Sequence, residues 1–480
     1  MADHFEYNCG ADCHRQQCLP KIGKMNGCYE SHCRPCQKTA CRKLTPVNAA
    51  VRLGNYGFLW IDRDQTAAER LPAGSIETAN LADTQRKTQD KFPAVSQRAR
   101  NIAISGIKEM AMRASKIEDV ASLTWGLPSF RTPDHIRQGV ERRLESDPDI
   151  GKYALPDGLP ELRAAVADEH FRATGIAVDG DRNVIITAGN MQGMNALLHT
   201  VIDPGDEVIV TDPGFSSHIQ QIRLCNGVPV SWPLDEGAGW ELDLETLPGL
   251  ITERTRAIVL VTPSNPTGKI FAEDQLRQIG KIAQNSGLLI LLDDPYHHFT
   301  YENRSRYFNL ASLPEFSGHV AYLFTFSKAH AMSGWRLGYM VVSEELKRQV
   351  LKVHDATIIC APRISQVAGL IALSEGPAHI AAFEEILGQR RDLICERLDR
   401  VPHVFDYVKP EGAYYVFPHI VAAHEISQDF SIKLLEEARV CVTPGTAFGA
   451  AGEHHVRMAF CVAEDTINKA FDCIERHFPR

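Results

Sequence analysis

The chain has 480 residues, enough for about two or three domains around a large buried core. Its 44% hydrophobic and 23% charged residues are ordinary for a globular protein, and a net charge of −9 gives no general attraction to nucleic acid or an anionic membrane. No apolar run approaches the roughly 18 residues that span a bilayer, and the acidic start Met1-Ala-Asp-His-Phe-Glu-Tyr7 lacks the apolar stretch of a secretory signal, so a cytoplasmic location is expected.

Cysteine use is lopsided. Seven of the 13 cysteines are Cys9, Cys13, Cys18, Cys28, Cys33, Cys36 and Cys41. A reducing compartment disfavours disulfides, so metal ligation is the leading account of this cluster, residues 1–45. Zinc is expected, with Cys33-x2-Cys36 as one ligand pair and His14 or His32 to complete a tetrahedron; an iron–sulfur cluster is the alternative metal centre. An oxidisable or disulfide-linked tail is the plain alternative. Residues 46–94 read as linker: 62–91 is polar with little apolar periodicity, and Leu53-Gly-Asn-Tyr-Gly-Phe-Leu-Trp60-Ile is a short apolar run that could dock on the main body.

From about Phe92 the texture is that of a compact enzyme. Short apolar runs at 184–186, 208–210, 257–261, 288–292, 320–324 and 339–342 alternate with helix-length segments. Continuous rather than alternating hydrophobicity predicts strands covered on both faces, an α/β fold with a mostly parallel sheet. Such sheets place ligands at the carboxyl ends of their strands. After about 350 the pattern turns helical, then returns to mixed strands near Tyr414 and Val456. We expect a large domain over about 151–350 and a smaller α/β one from 95–150 plus 351–480.

The chemistry collects at the ends of these runs. Pro263-Ser-Asn265-Pro-Thr-Gly268 follows one, Asp293-Asp-Pro-Tyr296 another, and Thr325-Phe-Ser327-Lys328 continues to Trp335-Arg336-Leu-Gly338. An amine, a carboxylate three residues before a phenol, a turn amide and a Ser/Arg pair are what a pyridoxal phosphate site requires. The amine forms a Schiff base with the aldehyde, and the carboxylate keeps the ring nitrogen protonated.

Here the chain resembles the class I/II aminotransferases among the fold-type I pyridoxal phosphate-dependent enzymes, over roughly 95–480. The likeness also rests on Gly126-Leu-Pro-Ser-Phe-Arg-Thr-Pro133, Tyr153-Ala-Leu-Pro-Asp-Gly158, Thr187-Ala-Gly-Asn-Met-Gln192, Asp212-Pro-Gly-Phe215, Glu411-Gly-Ala-Tyr-Tyr-Val-Phe417 and Pro444-Gly-Thr-Ala-Phe-Gly449 before Arg457. It implies a seven-stranded-type sheet and a homodimer with shared active sites. By the same resemblance Lys328 carries the cofactor and shuttles a proton, Asp293 pairs with the ring nitrogen, and Asn265 and Tyr296 bond its phenolic oxygen. Phe215 stacks on the ring. Thr325, Ser327, Arg336 and the Gly189-Asn190-Met191 turn hold the phosphate, with Tyr153 reaching that of the neighbouring subunit. Arg457 and Gly126, with Asn265, receive the substrate carboxylate. Asp294 reads as structural, and His297 and His298 as packing groups.

Met191 stands where the acidic-substrate branch can carry a lysine, which tilts the expected donor towards a neutral, apolar or specialised amino acid. The implied activity is amino transfer between an amino acid and a 2-oxo acid. A lyase or cyclase would use Lys328, Asp293 and Arg457 equally well. A regulator with a DNA-binding cysteine-rich head is the reading of another class; 1–45 carries seven Lys/Arg against four Asp/Glu, but the acidic body and the complete catalytic set weigh against it.

Overall fold

The computed structural model describes residues 95–301, 307–422 and 426–479. The cysteine cluster and the linker lie outside the described residues. Fifteen strands follow in chain order among those described. They are β1 (Ala121–Ser122), β2 (Val184–Thr187), β3 (Glu207–Asp212), β4 (Val228–Asp235), β5 (Glu241–Leu242), β6 (Thr255–Val261), β7 (Leu289–Asp293), β8 (Val320–Thr325), β9 (Gly338–Val341), β10 (Phe405–Asp406), β11 (Tyr415–Val416), β12 (His419–Ile420), β13 (Val440–Cys441), β14 (Thr443–Pro444) and β15 (Val456–Ala459).

Each of the six apolar runs contains a strand, and all six strands join one sheet. Its order is β2-β9-β8-β7-β6-β3-β4-β5. The pairs β3–β4, β3–β6, β6–β7 and β7–β8 are parallel, while β9 runs antiparallel between β2 and β8. The sheet has eight strands where seven were expected; the eighth, β5, is a two-residue antiparallel partner of β4. β4 itself was not read from the sequence. It holds Pro229 and Pro233, and its exposed and buried residues mix, as suits the sheet margin.

The continuous runs have a simple cause. Successive side chains of a strand point to opposite faces, and here each face has its own core. Ile185, Val208, Val210, Val259 and Leu291 pack in one cluster with Leu197, Leu198 and Val350 of the helices Asn190–Val201 and Glu344–Ile358. Ile186, Ile209, Ile258, Leu260, Ile290 and Leu292 pack in another with Leu162, Leu276 and Ile279 of the helices Pro160–Thr174 and Glu273–Ser286. Full burial of each such side chain contributes about 1.5–3 kcal/mol.

The remaining strands form small sheets. β1 pairs in parallel with β13, and β15 lies between β11 and β14. Leu123 and Ala459 continue this lattice through backbone bonds: Leu123 N–H to the Cys441 carbonyl at 2.8 Å and Ala459 N–H to the Leu123 carbonyl at 2.7 Å. The segment carrying Gly126 is thereby fixed beside Arg457 on β15.

Candidate active site

Five sheet strands deliver groups from their carboxyl ends. β2 leads into Gly189 and the helix Asn190–Val201; β3 into Phe215; β6 into the turn at Asn265; β7 ends on Asp293; and β8 ends at Thr325, which caps the short helix Phe326–Ala329 bearing Lys328. A cavity of about 250 Å³ gathers Gly126, Asn190, Met191, Phe215, Asn265, Asp293, Tyr296, Thr325, Ser327, Lys328, Arg336 and Arg457. Gly189 abuts it, since a Cβ there would come 2.7 Å from Nη2 of Arg336. Its φ of 78° also lies in the region that favours glycine. Tyr153 does not line the cavity; it stands 75% exposed on the surface.

The Lys328 amine donates to the Gly126 carbonyl at 2.8 Å, and the Tyr414 hydroxyl donates to the same oxygen at 3.1 Å. Burial, reinforced by the charges of Arg457 and Arg336 and opposed by Asp293, lowers the amine's pKa to about 8. Cys461 lies close by, but burial pushes its thiol up to about 12, so it is neutral when Lys328 titrates.

Asp293 is 5% exposed and held at both oxygens. The Asn190 side-chain amide donates to Oδ1 at 2.7 Å, and Nε2 of His218 lies 3.0 Å from Oδ2. A carboxylate only accepts, so His218 carries its proton on Nε2. Tyr296 places its hydroxyl 3.0 Å from that of Tyr415. Burial, with Tyr415 beside it, holds the Tyr296 phenol well above its ordinary pKa, so it is a neutral donor.

Arg457 is 1% exposed. Nη1 donates to Oδ1 of Asn265 at 3.1 Å, Nη2 to the Thr124 carbonyl, and Nε has no partner. Its Cζ lies 4.4 Å from the Tyr415 ring centroid and 4.9 Å from that of Phe448. Arg336 gives Nη1 to the Ser333 carbonyl at 2.8 Å. Among the described residues no carboxylate lies within ion-pair distance of either guanidinium. For the buried Arg457 a cation without a counter-ion is costly, so its position suits an anionic group supplied from outside the chain; Arg336 is exposed but lines the same cavity, where its guanidinium is open to an anion. The rim of one carries Ser327, with Thr325 Oγ1 2.9 Å from its Oγ, and the Asn190 helix start. A guanidinium for phosphate at Arg336, a carboxylate for a protonated ring nitrogen at Asp293 and an amine for an aldehyde at Lys328 make a set that fits pyridoxal phosphate, and Arg457 is left over for a carboxylate of another molecule.

Several groups were not assigned from the sequence. His218 sits 75 positions from Asp293, on a helix with no local signature. Tyr415 lay inside a quoted block without a role, yet a Cβ on Gly126 would meet its hydroxyl at 2.0 Å, which is why only glycine fits at 126. Ile107, Trp125 and Ser333 also line the cavity. Asn190 was read through its backbone; its side chain turns instead to Asp293. Asp294 is fully buried and accepts from the Tyr322 hydroxyl at 3.1 Å, with Nδ1 of His297 2.9 Å away. His297 and His298 line a second cavity of about 230 Å³, with His170 and His330. No group of three or more His, Cys, Asp or Glu able to hold a metal occurs among the described residues, and none of the described helices is long and apolar enough to cross a membrane.

Known proteins resemble this chain over most of its length. The family model for aminotransferase class I and II matches residues 118–474. An aspartate aminotransferase of Pyrococcus horikoshii is 36% identical over 384 residues, 80% of this chain and 96% of that protein. Aromatic-amino-acid aminotransferase 2 of Thermococcus litoralis is 33% identical over 386 residues, 80% and 98% of the two chains. The solved Thermus thermophilus aspartate aminotransferase with maleate superposes with a TM-score of 0.76 at 31% identity, covering 81% of this chain and 100% of its own. The chain belongs to the class I and II aminotransferases and is a pyridoxal phosphate-dependent transaminase.

Proposed function

We propose that this aminotransferase moves the amino group of a neutral, apolar or specialised L-amino acid to a 2-oxo acid. One observation carries the assignment of roles: the Lys328 amine, lowered to about 8, shares its cavity with two guanidinium groups that have no carboxylate within ion-pair distance among the described residues. Ile107, Trp125, Met191 and Tyr415 around the same cavity support an apolar substrate side chain. Pyridoxal phosphate, when bound, supplies a carbonyl carbon that links to amino groups and a cationic ring that withdraws electrons from the substrate Cα.

Arg336, Ser327, Thr325 and the backbone N–H groups after Gly189, with Met191 in that turn, are the phosphate ligands. Asp293 holds the proton on the ring nitrogen, Phe215 stacks on the ring, and Asn265 and Tyr296 donate to its phenolic oxygen. Lys328 is the attachment point, and its freed neutral amine takes the proton from the substrate Cα. Arg457 orients that Cα by gripping the carboxylate, and Gly126 leaves the space for it. The enzyme works as a homodimer with shared sites, a role for which the exposed Tyr153 is available. The large domain comprises about 151–350 and the small one 95–150 plus 351–480. The seven cysteines of 1–45 hold zinc, supported by the Cys33-x2-Cys36 spacing, and the six free cysteines Cys225, Cys360, Cys395, Cys441, Cys461 and Cys473 support a reducing, cytoplasmic location.

The test is a half-reaction. Holoenzyme mixed with a panel of amino acids and no acceptor should lose its cofactor absorbance and release one equivalent of 2-oxo acid per site, apolar donors leading. Ammonia release that continues beyond one turnover would mark elimination instead, and preferential turnover of acidic donors would overturn the substrate class. Metal analysis of the full chain against one lacking 1–45 checks the zinc.

A further inference from the structure

Asp212 is the last residue of β3, and its carboxylate is 6% exposed. Oδ1 accepts the Ala451 N–H at 3.1 Å, and Oδ2 accepts the Ser231 hydroxyl of neighbouring β4 at 2.8 Å. No cation among the described residues lies within ion-pair distance of it. Burying a carboxylate against one amide and one hydroxyl is a costly arrangement, and it ties together two parts of the chain far apart in sequence. Gly449 approaches so closely that a Cβ there would come 2.0 Å from Oδ1 of Asp212. Two residues further along, the Gly214 N–H donates to the Phe448 carbonyl at 2.7 Å.

The segment gripped in this way is the floor beneath Arg457. The Phe448 ring is fully buried, with its centroid 4.9 Å from the guanidinium carbon and 5.9 Å from the ring of Phe417. Gly445 donates its N–H to the His455 carbonyl at 2.8 Å, so the loop also closes back on the start of β15. Phe215, three residues after Asp212, faces the cavity from the other side. One short stretch of chain, 212–215, therefore bears on both the cofactor face and the arginine.

We propose that Asp212 is a positioning residue for substrate binding: its carboxylate latches residues 448–451 to the end of β3 and so fixes Phe448 under the Arg457 guanidinium. The proposal rests on Arg457 receiving the substrate carboxylate. Releasing the latch frees Phe448 to shift, and the bidentate alignment that Arg457 offers is lost while Lys328, Asp293 and Arg336 stay in place. Geometry rather than charge does the holding. An asparagine at 212 keeps an acceptor for Ala451, and its amide N–H can donate to Ser231, whose hydroxyl both donates and accepts.

The experiment compares D212A, D212N, S231A and R457M as holoenzymes by steady-state kinetics, with cofactor affinity measured separately by fluorescence quenching. D212A should raise KM for the amino donor about tenfold, and kcat should stay within about threefold, because the hydrogen bonds from Ala451 and Ser231 and the packing they hold are lost. Cofactor affinity should not move. D212N should restore KM to within about threefold of the unchanged protein, and S231A should fall between D212N and D212A. An unchanged KM in D212A overturns the latch. So does a D212A protein that loses kcat and cofactor affinity together, and so does D212N behaving like D212A. If D212A fails to fold, S231A and D212N decide on the same KM criterion: no rise in S231A or a full loss in D212N overturns it. R457M separates the two ideas. If R457M leaves KM unchanged, the reading of Arg457 fails; if it raises KM while D212A does not, only the latch fails.

Discussion

Lys328 shares its cavity with two arginines, and that neighbourhood sets how the amine titrates. The amine is driven towards neutrality chiefly by burial, then by Arg457 and Arg336, and is drawn back by Asp293. In the cofactor-free protein, acylation of Lys328 followed by mass spectrometry should therefore rise with pH through an apparent pKa of about 8. R457M, which removes a positive neighbour, should move that midpoint up, and D293N should move it down. A midpoint near that of a free lysine would mean the amine is not enclosed as described. The partner of Asp293 is equally open to test. His218 gives Asp293 one of its two donors at 3.0 Å. Replacing it in H218F leaves a buried carboxylate oxygen unpaired, which costs about 1.5–3 kcal/mol for a charged group. The expected result is a kcat lower by one to two orders of magnitude with the KM for amino donor little changed. A loss of less than about threefold would show that Asn190 alone suffices.

At the level of elements, the site is a set of strand ends, and this explains what the sequence disclosed. Asn265, Asp293 and Lys328 follow apolar runs within a few residues, so the local pattern that marks the strand also marks the site. His218 has no such neighbour: one histidine in a helix reads as packing until the fold carries it to Asp293. β4 escaped notice because its prolines and partial exposure erase the apolar run. Asn190 was expected to serve through its N–H, and nothing in the chain order reveals that its side chain would turn across the sheet to Asp293. The β2-to-helix turn carries its own prediction. At Gly189 φ is 78°, and an added Cβ would lie 2.7 Å from Nη2 of Arg336. G189A thus combines backbone strain, about 1 kcal/mol or more, with displacement of the proposed phosphate ligand. Cofactor dissociation should speed up about tenfold or more, read from the decay of bound-cofactor absorbance on dilution, and G189A matching the unchanged protein would place the phosphate elsewhere.

Across the whole molecule, the charge state of buried histidines governs how the fold responds to acid. His170 and His330 are each 3% exposed, and burial lowers them from 6.5 to about 4 and about 3 respectively. His379, bonded through Nε2 to Nδ1 of His330 at 3.0 Å, is lowered to about 4 as well. Burial also pushes His298 well down. The sign follows from proton counts. Between pH 6.5 and about 4 the unfolded chain binds protons on these rings that the folded protein refuses, so stability is fullest above 6.5 and declines as pH falls through this window. His297 works the other way: Asp294 outweighs burial and raises its pKa, so its contribution is retained in acid. One raised group against several lowered ones leaves a net loss. His170 and His330 together should cost about 2.5 kcal/mol between pH 7 and 5.5 as an upper figure, which for a chain of this size is a Tm lower by about 3 °C. Thermal unfolding of the holoenzyme at saturating cofactor and constant ionic strength reads this directly. H170F, which keeps the ring volume beside Tyr322 but removes the titrating group, should flatten the profile even if it shifts the overall Tm. A Tm that holds steady or climbs from pH 7 to 5.5 would mean these imidazoles already carry protons in the folded protein, and the packing around His170, Tyr322 and His330 would then have to be wetter and more open than the structure describes.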